Sequence, residues 1–192
     1  MNTQNILATF VVSSLLAALS GCVELLSPIT TPEDLIFDEA VLGVWSEKES
    51  RETWVFTRAG KDVYRLVCTD EDGRSGNFVA HLARIQGQLF LDVFPEQLSL
   101  PQSAYYTDRF RPTHTIAWVA LIQPLARVSF LEETWLTDFL QKNPGAIPHA
   151  DVDGRTVLTA TPREMQNFLV AHLKTPGAFG LPIEFERRTD RR

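Results

Sequence analysis

The sequence predicts an α+β protein that is mostly β, built as an antiparallel meander sheet or small barrel with two C-terminal amphipathic helices packed on it. Three observations carry this prediction. Short segments rich in Val, Phe, Trp, Tyr and Leu follow one another from residue 42 onward, turn-forming residues separate them, and clear helical patterns come only after residue 131. Closely spaced strands without intervening helices pair with their chain neighbours as a meander.

Composition and the flanking turn residues predict the strands. Five are predicted before the middle of the chain, at 42–46, 52–58, 63–68, 77–85 and 89–94. Runs of Gly, Asp and Ser punctuate them, as in Asp70–Gly76 and Gln86-Gly87. An irregular stretch from Pro95 to Pro112 interrupts the pattern, and strands resume at 113–122 and 125–131.

Two amphipathic helices are predicted after these strands. Residues 132–143 place apolar side chains on one face at helical spacing. Residues 161–174 open with Thr161 as the cap, Pro162 in the first position and Glu164 completing a capping box. A short strand at 155–160 lies between the helices, and residues 182–188 form a candidate final strand.

The amino terminus carries an apolar run, Ile6 to Leu19, of the length typical of a secretory signal peptide. It ends in Leu19-Ser20-Gly21-Cys22, which resembles the lipobox of bacterial lipoproteins. The resemblance implies cleavage before Cys22 and lipidation of that cysteine. We therefore expect a signal peptide at 1–21, a lipidated tether at 22–40 and a single β-rich globular domain at 41–192.

The resemblance also implies a location in the bacterial cell envelope, where acyl chains hold the protein in the membrane by hydrophobic transfer. In enterobacterial lipoproteins an Asp after the cysteine favours the inner membrane, whereas this chain has Val23. We therefore expect the outer membrane, facing the periplasm, rather than the inner membrane.

Charge and motifs exclude several classes of function. The formal net charge of −6 does not suit nucleic-acid binding or attraction to anionic lipids. The sequence lacks the common motifs for hydrolases, nucleotide binding and zinc binding. Asp151-Val152-Asp153-Gly154 lacks the later acidic ligands of a calcium loop. We therefore predict neither a metal nor a cofactor.

Cys68 has no intramolecular disulfide partner if the sulfur of Cys22 carries lipid. It ends a strand-like run and precedes acidic residues, Asp70 to Asp72, which raise the pKa of a thiol. This setting favours a small core residue over a nucleophile. His114 and His172 are isolated histidines, and we predict core or boundary positions for both.

The Gln86-Gly87 turn places His81 directly opposite Asp92 if the hairpin loop has two or four residues. An imidazole beside a carboxylate can act as an oriented base, and these two residues are the weak catalytic candidates of the chain. The same pair can simply fix the strand register, and this structural interpretation is favoured.

Aromatic residues supply the binding candidates. Gly43 and Trp45 resemble the Gly-x-Trp of the first strand of lipocalins, which implies a barrel holding an apolar ligand. Trp45 and Trp118, together with Trp54 and Phe90, could line such a cavity or fill an ordinary core. The pair Tyr105-Tyr106, in the irregular stretch, is a candidate contact surface for a partner.

Three functional hypotheses follow. The first is a lipid-anchored envelope protein that acts as a non-enzymatic interaction or structural module. The second is a lipocalin-like carrier of a small apolar ligand, which requires a cavity of a few hundred cubic ångströms, roughly the size of known ligand pockets. The third is a hydrolase, which requires His81 and Asp92 in an exposed cleft beside a nucleophile.

Overall fold

The computed structural model describes residues 23–96, 112–152 and 154–188. Within them the strands are β1 (Glu24–Leu25), β2 (Leu35–Ile36), β3 (Gly43–Ser46), β4 (Thr53–Arg58), β5 (Tyr64–Thr69), β6 (Ser75–Ile85), β7 (Gln88–Pro95), β8 (Thr115–Leu121), β9 (Ala126–Phe130), β10 (His149–Val152), β11 (Arg155–Leu158) and β12 (Ile183–Arg187). The helices are α1 (Glu133–Lys142) and α2 (Pro162–His172), with a 3-10 turn at Glu39–Val41.

Eight antiparallel strands close into a barrel in the order β3-β4-β5-β6-β7-β8-β9-β12. The meander from β3 to β9 follows chain order, as the spacing of the strand-like segments predicts. Closure comes from β12, which pairs with β9 through Ile183 and Val128 and with β3 through Arg187 and Trp45. Because β12 pairs with a neighbour on each side, the eight strands form a closed barrel without a free edge.

The position of β12 corrects one detail of the predicted order. The two helices were expected at the C-terminal end of the domain, but both precede β12 and lie between β9 and the strand that closes the barrel. The helix boundaries themselves agree with the sequence pattern. In α2 the side chain of Thr161 accepts a hydrogen bond from the N–H of Glu164, and the Glu164 side chain reciprocates in a complete capping box.

Two apolar clusters lie on the two faces of the barrel wall. The interior cluster draws on all eight strands, because alternate residues of each strand point inward; its buried members include Trp45, Phe56, Tyr64, Leu91 and Phe185. The outer cluster packs both helices against the opposite face of β6, β7 and β8; its members include Phe90, Ile116, Leu136, Phe168 and Leu169.

A second, three-stranded sheet lies beside the barrel in the order β1-β11-β10, with β1 parallel to β11. Leu25 of β1 also forms an antiparallel bridge to His114, the residue before β8. The sequence did not predict β1, β2 or β10. These strands are only two to four residues long, too short for a recognisable apolar period.

Residues 23–40, which the sequence assigned to a tether, are largely part of the domain. Val23, Leu25 and Ile29 are buried in the outer cluster, and β2 pairs with β6 through Leu35 and Ala83. The chain therefore enters the fold at the first residue after Cys22. No helix among the residues that the structure describes is long and apolar enough to cross a membrane.

Packing of α1 on the barrel can be tested at Leu136, which is fully buried in the outer cluster. We expect Leu136→Ala to lower the free energy of unfolding by about 2–5 kcal/mol, because the substitution leaves a cavity between helix and sheet. Urea unfolding followed by circular dichroism measures this difference.

The matched control is Leu181→Ala, because Leu181 is 92% exposed. We expect it to change the free energy of unfolding by less than about 0.5 kcal/mol. Equal effects at the two positions would contradict the packing of α1 on the barrel.

Candidate functional site

Within the part of the chain that the structure describes, the barrel interior holds an apolar cavity of about 40 Å³. All its lining side chains are apolar; they are Val41, Trp45, Trp54, Phe56, Leu82, Leu91, Val119, Ile122, Ala126, Val128 and Phe185. Among them only Ile122 and Ala126 have appreciable solvent exposure. Since these two residues flank the connection between β8 and β9, the cavity approaches solvent there.

The volume of this cavity shows that side chains fill most of the barrel. An engineered apolar cavity of about 150 Å³ accommodates one benzene molecule, and pockets for drug-sized ligands measure about 300–1,000 Å³. A cavity of about 40 Å³ is far smaller than either. In this conformation the interior, as the described residues define it, therefore has little room for a ligand.

The Gly-x-Trp residues close one end of the barrel. The indole N–H of Trp45 donates a 2.8 Å hydrogen bond to the carbonyl oxygen of Val41 in the 3-10 turn. The Arg187 guanidinium lies 4.8 Å from the centre of the Trp45 ring and donates to the carbonyl oxygen of Ala40. Gly43 adopts a φ of 130°, a conformation that side-chain-bearing residues rarely adopt.

The strap between β2 and β3 lies across the same end. Phe37 stacks on Tyr64 with ring centres 4.5 Å apart, and the Arg58 guanidinium lies 3.6 Å from the centre of the Phe37 ring. The Tyr64 hydroxyl accepts from the N–H of Asp38 and donates to the carbonyl oxygen of the same residue. Both polar and aromatic contacts therefore fix the strap over the interior cluster.

A second candidate site lies on the outer face of the barrel wall, around Asp92. The predicted strand register is confirmed: Ile85 pairs with Gln88, and His81 stands directly opposite Asp92. Asp92 is 1% exposed, so its carboxyl group needs hydrogen-bond partners. Those partners are not His81. Oδ1 lies 2.6 Å from Nδ1 of His114, and Oδ2 accepts from the N–H of Ile29 at 2.9 Å.

His114 is the member of this cluster that sequence reasoning missed. It reaches Asp92 because β8 pairs with β7 on the side opposite to β6, and the start of β8 brings His114 beside the Asp92 side chain. The available signal was the parity of β8, which places His114, Ile116 and Trp118 on one face of the strand. Without the register between β7 and β8, that parity could not identify a partner.

The Asp92 cluster holds the N-terminal segment on the barrel. The N–H of Ile29 bonds to Asp92, while Leu25 and His114 exchange two backbone hydrogen bonds of 2.8 and 3.2 Å. From α2, Gln166 donates to the carbonyl oxygen of Ile29 and to the Asp34 side chain. These contacts join three elements distant in sequence.

The geometry of the cluster does not match the requirements of a hydrolase. Asp92 is buried rather than placed in an exposed cleft, and its two oxygens bond to His114 and to a backbone N–H. Burial lowers the pKa of His81 below its usual value, an effect that the nearby Asp92 carboxylate partly opposes. Among the residues that the structure describes, no nucleophile is in hydrogen-bond contact with His81, which supports a structural role for it. Among the described residues, no group of three metal-ligating side chains could hold a metal ion.

Cys68 has the properties of a core residue rather than a nucleophile. It packs against the interior cluster. Burial raises the pKa of its thiol to about 12, and the neighbouring Glu52 carboxylate adds to the shift. The pKa of Glu52 is itself raised by burial and by the acidic residues Glu71, Glu47 and Asp70. The thiol of Cys68 is therefore protonated at neutral pH, and the cause is burial together with Glu52 rather than the predicted Asp70 to Asp72.

The structure separates the aromatic binding candidates. Trp45 and Trp54 line the interior cavity. Trp118 and Phe90 lie on the outer face, where they pack with the cluster that contains the helices. Tyr105, Tyr106 and Cys22 fall outside the described residues. His172 packs among Trp135, Phe139 and Phe168 on the helices, in the boundary position predicted for it.

No protein family model matches this chain, and comparison with characterised proteins and with solved structures likewise yields no match. The functional argument therefore depends on the geometry of the barrel and its attached N-terminal segment.

The structural role of Asp92 can be tested with Asp92→Ala. The substitution leaves the N–H of Ile29 and the His114 ring without their buried partner. We expect the free energy of unfolding to fall by about 1.5–3 kcal/mol, the usual effect of losing a buried hydrogen bond to a charged group. Urea denaturation measures this loss.

Hydrogen exchange locates the effect, because the amide of Ile29 should lose protection more than amides on the far side of the barrel. Asp138→Asn is the matched control, since Asp138 is exposed on α1 and removal of its charge should leave stability nearly unchanged. An unaltered Ile29 exchange rate in Asp92→Ala would show that the carboxyl group does not hold this segment.

Proposed function

We propose that this protein is a lipid-anchored component of the bacterial cell envelope, with a β-barrel that serves as a non-enzymatic interaction or structural module. The lipobox-like Leu19-Ser20-Gly21-Cys22 supports the anchor. Val23 in place of Asp after the cysteine favours the outer membrane, facing the periplasm.

The observation that carries the proposed role is the filled interior of the barrel. A cavity of about 40 Å³ is far smaller than the pockets of about 300–1,000 Å³ that hold drug-sized ligands. The buried Asp92 carboxyl group is committed to structural hydrogen bonds. With its interior and its His–Asp cluster both used for stability, the domain is best suited to presenting an external surface. The pair Tyr105-Tyr106 is our candidate for partner contact, because paired tyrosines supply contact area at low entropic cost.

The anchor can be tested by substituting the two cysteines separately. We expect Cys22→Ser to abolish lipidation, because acyl transfer requires the thiol. The variant should then either keep residues 1–21 or leave the membrane fraction. Mass spectrometry of the amino terminus and membrane fractionation measure the two effects.

Cys68→Ser is the matched control. Cys68 is held within the domain by its packing against the interior cluster, so this variant should remain lipidated and membrane-bound. A wild-type protein that keeps residues 1–21 and carries no acyl groups on Cys22 would refute the proposal.

A second candidate function is transport or storage of a small apolar ligand. The cavity favours it, because the lining is wholly apolar and approaches solvent beside Ile122 and Ala126. Occupation by a chain longer than a few carbons would require the strap at residues 36–42 or the β8–β9 connection to move. This requirement makes the carrier the weaker of the two proposals.

The carrier function can be tested by calorimetric titration with decanoic acid. A carrier should bind it, and Ala126→Leu should weaken binding by roughly tenfold, equivalent to about 1.4 kcal/mol, by filling the cavity. The matched control Ala150→Leu alters an exposed residue of β10 and should leave binding unchanged. Absence of binding heat in the wild-type protein would reject the carrier and leave the interaction module as the function.

A further inference from the structure

The route of the chain into the domain fixes where a membrane anchor at Cys22 would lie. Val23 is 4% exposed, and Leu25 and Ile29 are buried with it in the outer cluster. The domain therefore begins one residue after the cysteine, with no spacer. Consecutive Cα atoms are about 3.8 Å apart, so an acylated residue 22 must lie within a few ångströms of the surface around Val23.

The element beside that point is the edge of the small sheet where β10 ends at Val152 and β11 begins at Arg155. Strand β1 is parallel to β11, with Glu24 opposite Val157, so the chain runs back from Glu24 toward the start of β11 at Arg155. The guanidinium of Arg155 lies 3.2 Å from the Glu24 carboxylate. Val152, which pairs with Arg155, is one strand further on, about 10 Å from β1 at the usual strand spacing.

Val152 is 51% exposed, and Leu26, at the other end of β1, is 46% exposed. They are two of the four large apolar side chains that are exposed among the described residues, the others being Leu121 and Leu181. Of these four, Val152 belongs to the small sheet beside the anchor point, whereas Leu26 follows β1 at the end away from it. An exposed valine at the end of a strand is stabilised when its side chain leaves water and contacts acyl chains.

The N-terminal segment is also held firmly against the barrel. It is fixed by the Ile29 N–H bond to Asp92, by the bridge between Leu25 and His114, and by the Gln166 bond to the carbonyl oxygen of Ile29. Movement of residues 25–29 relative to the barrel would require these buried contacts to break.

We propose that the edge of the small sheet formed by Val152 and Arg155 rests on the bilayer surface, and that the barrel side bearing β4 and β5 faces away from the membrane. The occupant of this surface is phospholipid. Strand β4 lies four positions from β8 around the eight-stranded barrel, diametrically opposite the strand that meets β1. This inference rests on the proposed lipid anchor.

Single-cysteine labelling of the full-length, lipidated protein tests the orientation. Val152→Cys places a thiol at the proposed contact, and Lys61→Cys places one in the exposed β4–β5 loop. Cys68 does not compete for a thiol-specific fluorophore, because its pKa of about 12 keeps it protonated at neutral pH. The sulfur of an acylated Cys22 is a thioether and is also unreactive.

The labelled proteins are reconstituted in phosphatidylcholine vesicles that contain a headgroup-nitroxide lipid as quencher. We expect quenching at position 152 to exceed that at position 61 by roughly threefold or more, because contact with the interface brings the fluorophore within reach of the headgroups. Equal quenching at the two positions in vesicle-bound protein would overturn the proposed orientation while leaving the anchor intact.

A linker variant supplies the second measurement. Ten Gly/Ser residues inserted between Cys22 and Val23 span about 18 Å as a flexible chain. This insertion keeps the anchor and the domain but removes their rigid connection, so quenching at position 152 should fall to the level at position 61. Unchanged quenching in the linker variant would show that the missing spacer does not set the orientation, and would overturn the inference.

Vesicle flotation and mass spectrometry of the same samples separate the two proposals. Protein that floats with vesicles and carries acyl groups on Cys22 supports the anchor, whatever the quenching ratio. Wild-type protein that does not float refutes the anchor, and with it the orientation.

Discussion

The buried carboxyl group of Asp92 is the constraint on which the arrangement of this molecule depends. A carboxyl group with 1% exposure on a barrel wall requires polar partners, and the chain supplies them from two distant places, the His114 ring and the Ile29 N–H. Satisfying that one group brings the N-terminal segment onto β7 and β8. The apolar residues Val23 and Leu25 are then buried under the helices, which makes the attachment cooperative.

Two cores on opposite faces of one barrel wall explain why the interior has little free volume. The helices bury their apolar side chains against the outer face of β6, β7 and β8, so side chains of the strands must fill the interior. Large aromatic side chains such as Trp45, Trp54 and Phe185 serve that purpose. An eight-stranded barrel is just wide enough for its side chains to fill. The described interior therefore has little space for a ligand in this conformation.

Sequence reasoning succeeded where the determining interactions are local. The Gln86-Gly87 turn fixed the register of one hairpin, and His81 indeed stands opposite Asp92. The capping box at Thr161 and Glu164 located the start of α2. The same reasoning could not find the actual partner of Asp92, because His114 arrives through a different strand pair whose register depends on a connection of nineteen residues, 96 to 114. It also placed Trp118 with Trp45, although they lie on opposite faces of the wall.

The sequence by itself determined the order of the strands from β3 to β9, the two helices, the acidic charge and the core character of Cys68, while lipid attachment at Cys22 stays a prediction. These features follow from composition, from periodicity and from short-range turn and cap chemistry. Only the tertiary structure decided that β12 closes the barrel, that residues 23–36 pack on its wall, and which aromatic side chains point inward. Those outcomes depend on pairings between residues far apart in the chain, from Leu35 with Ala83 to Trp45 with Arg187, which no local pattern encodes.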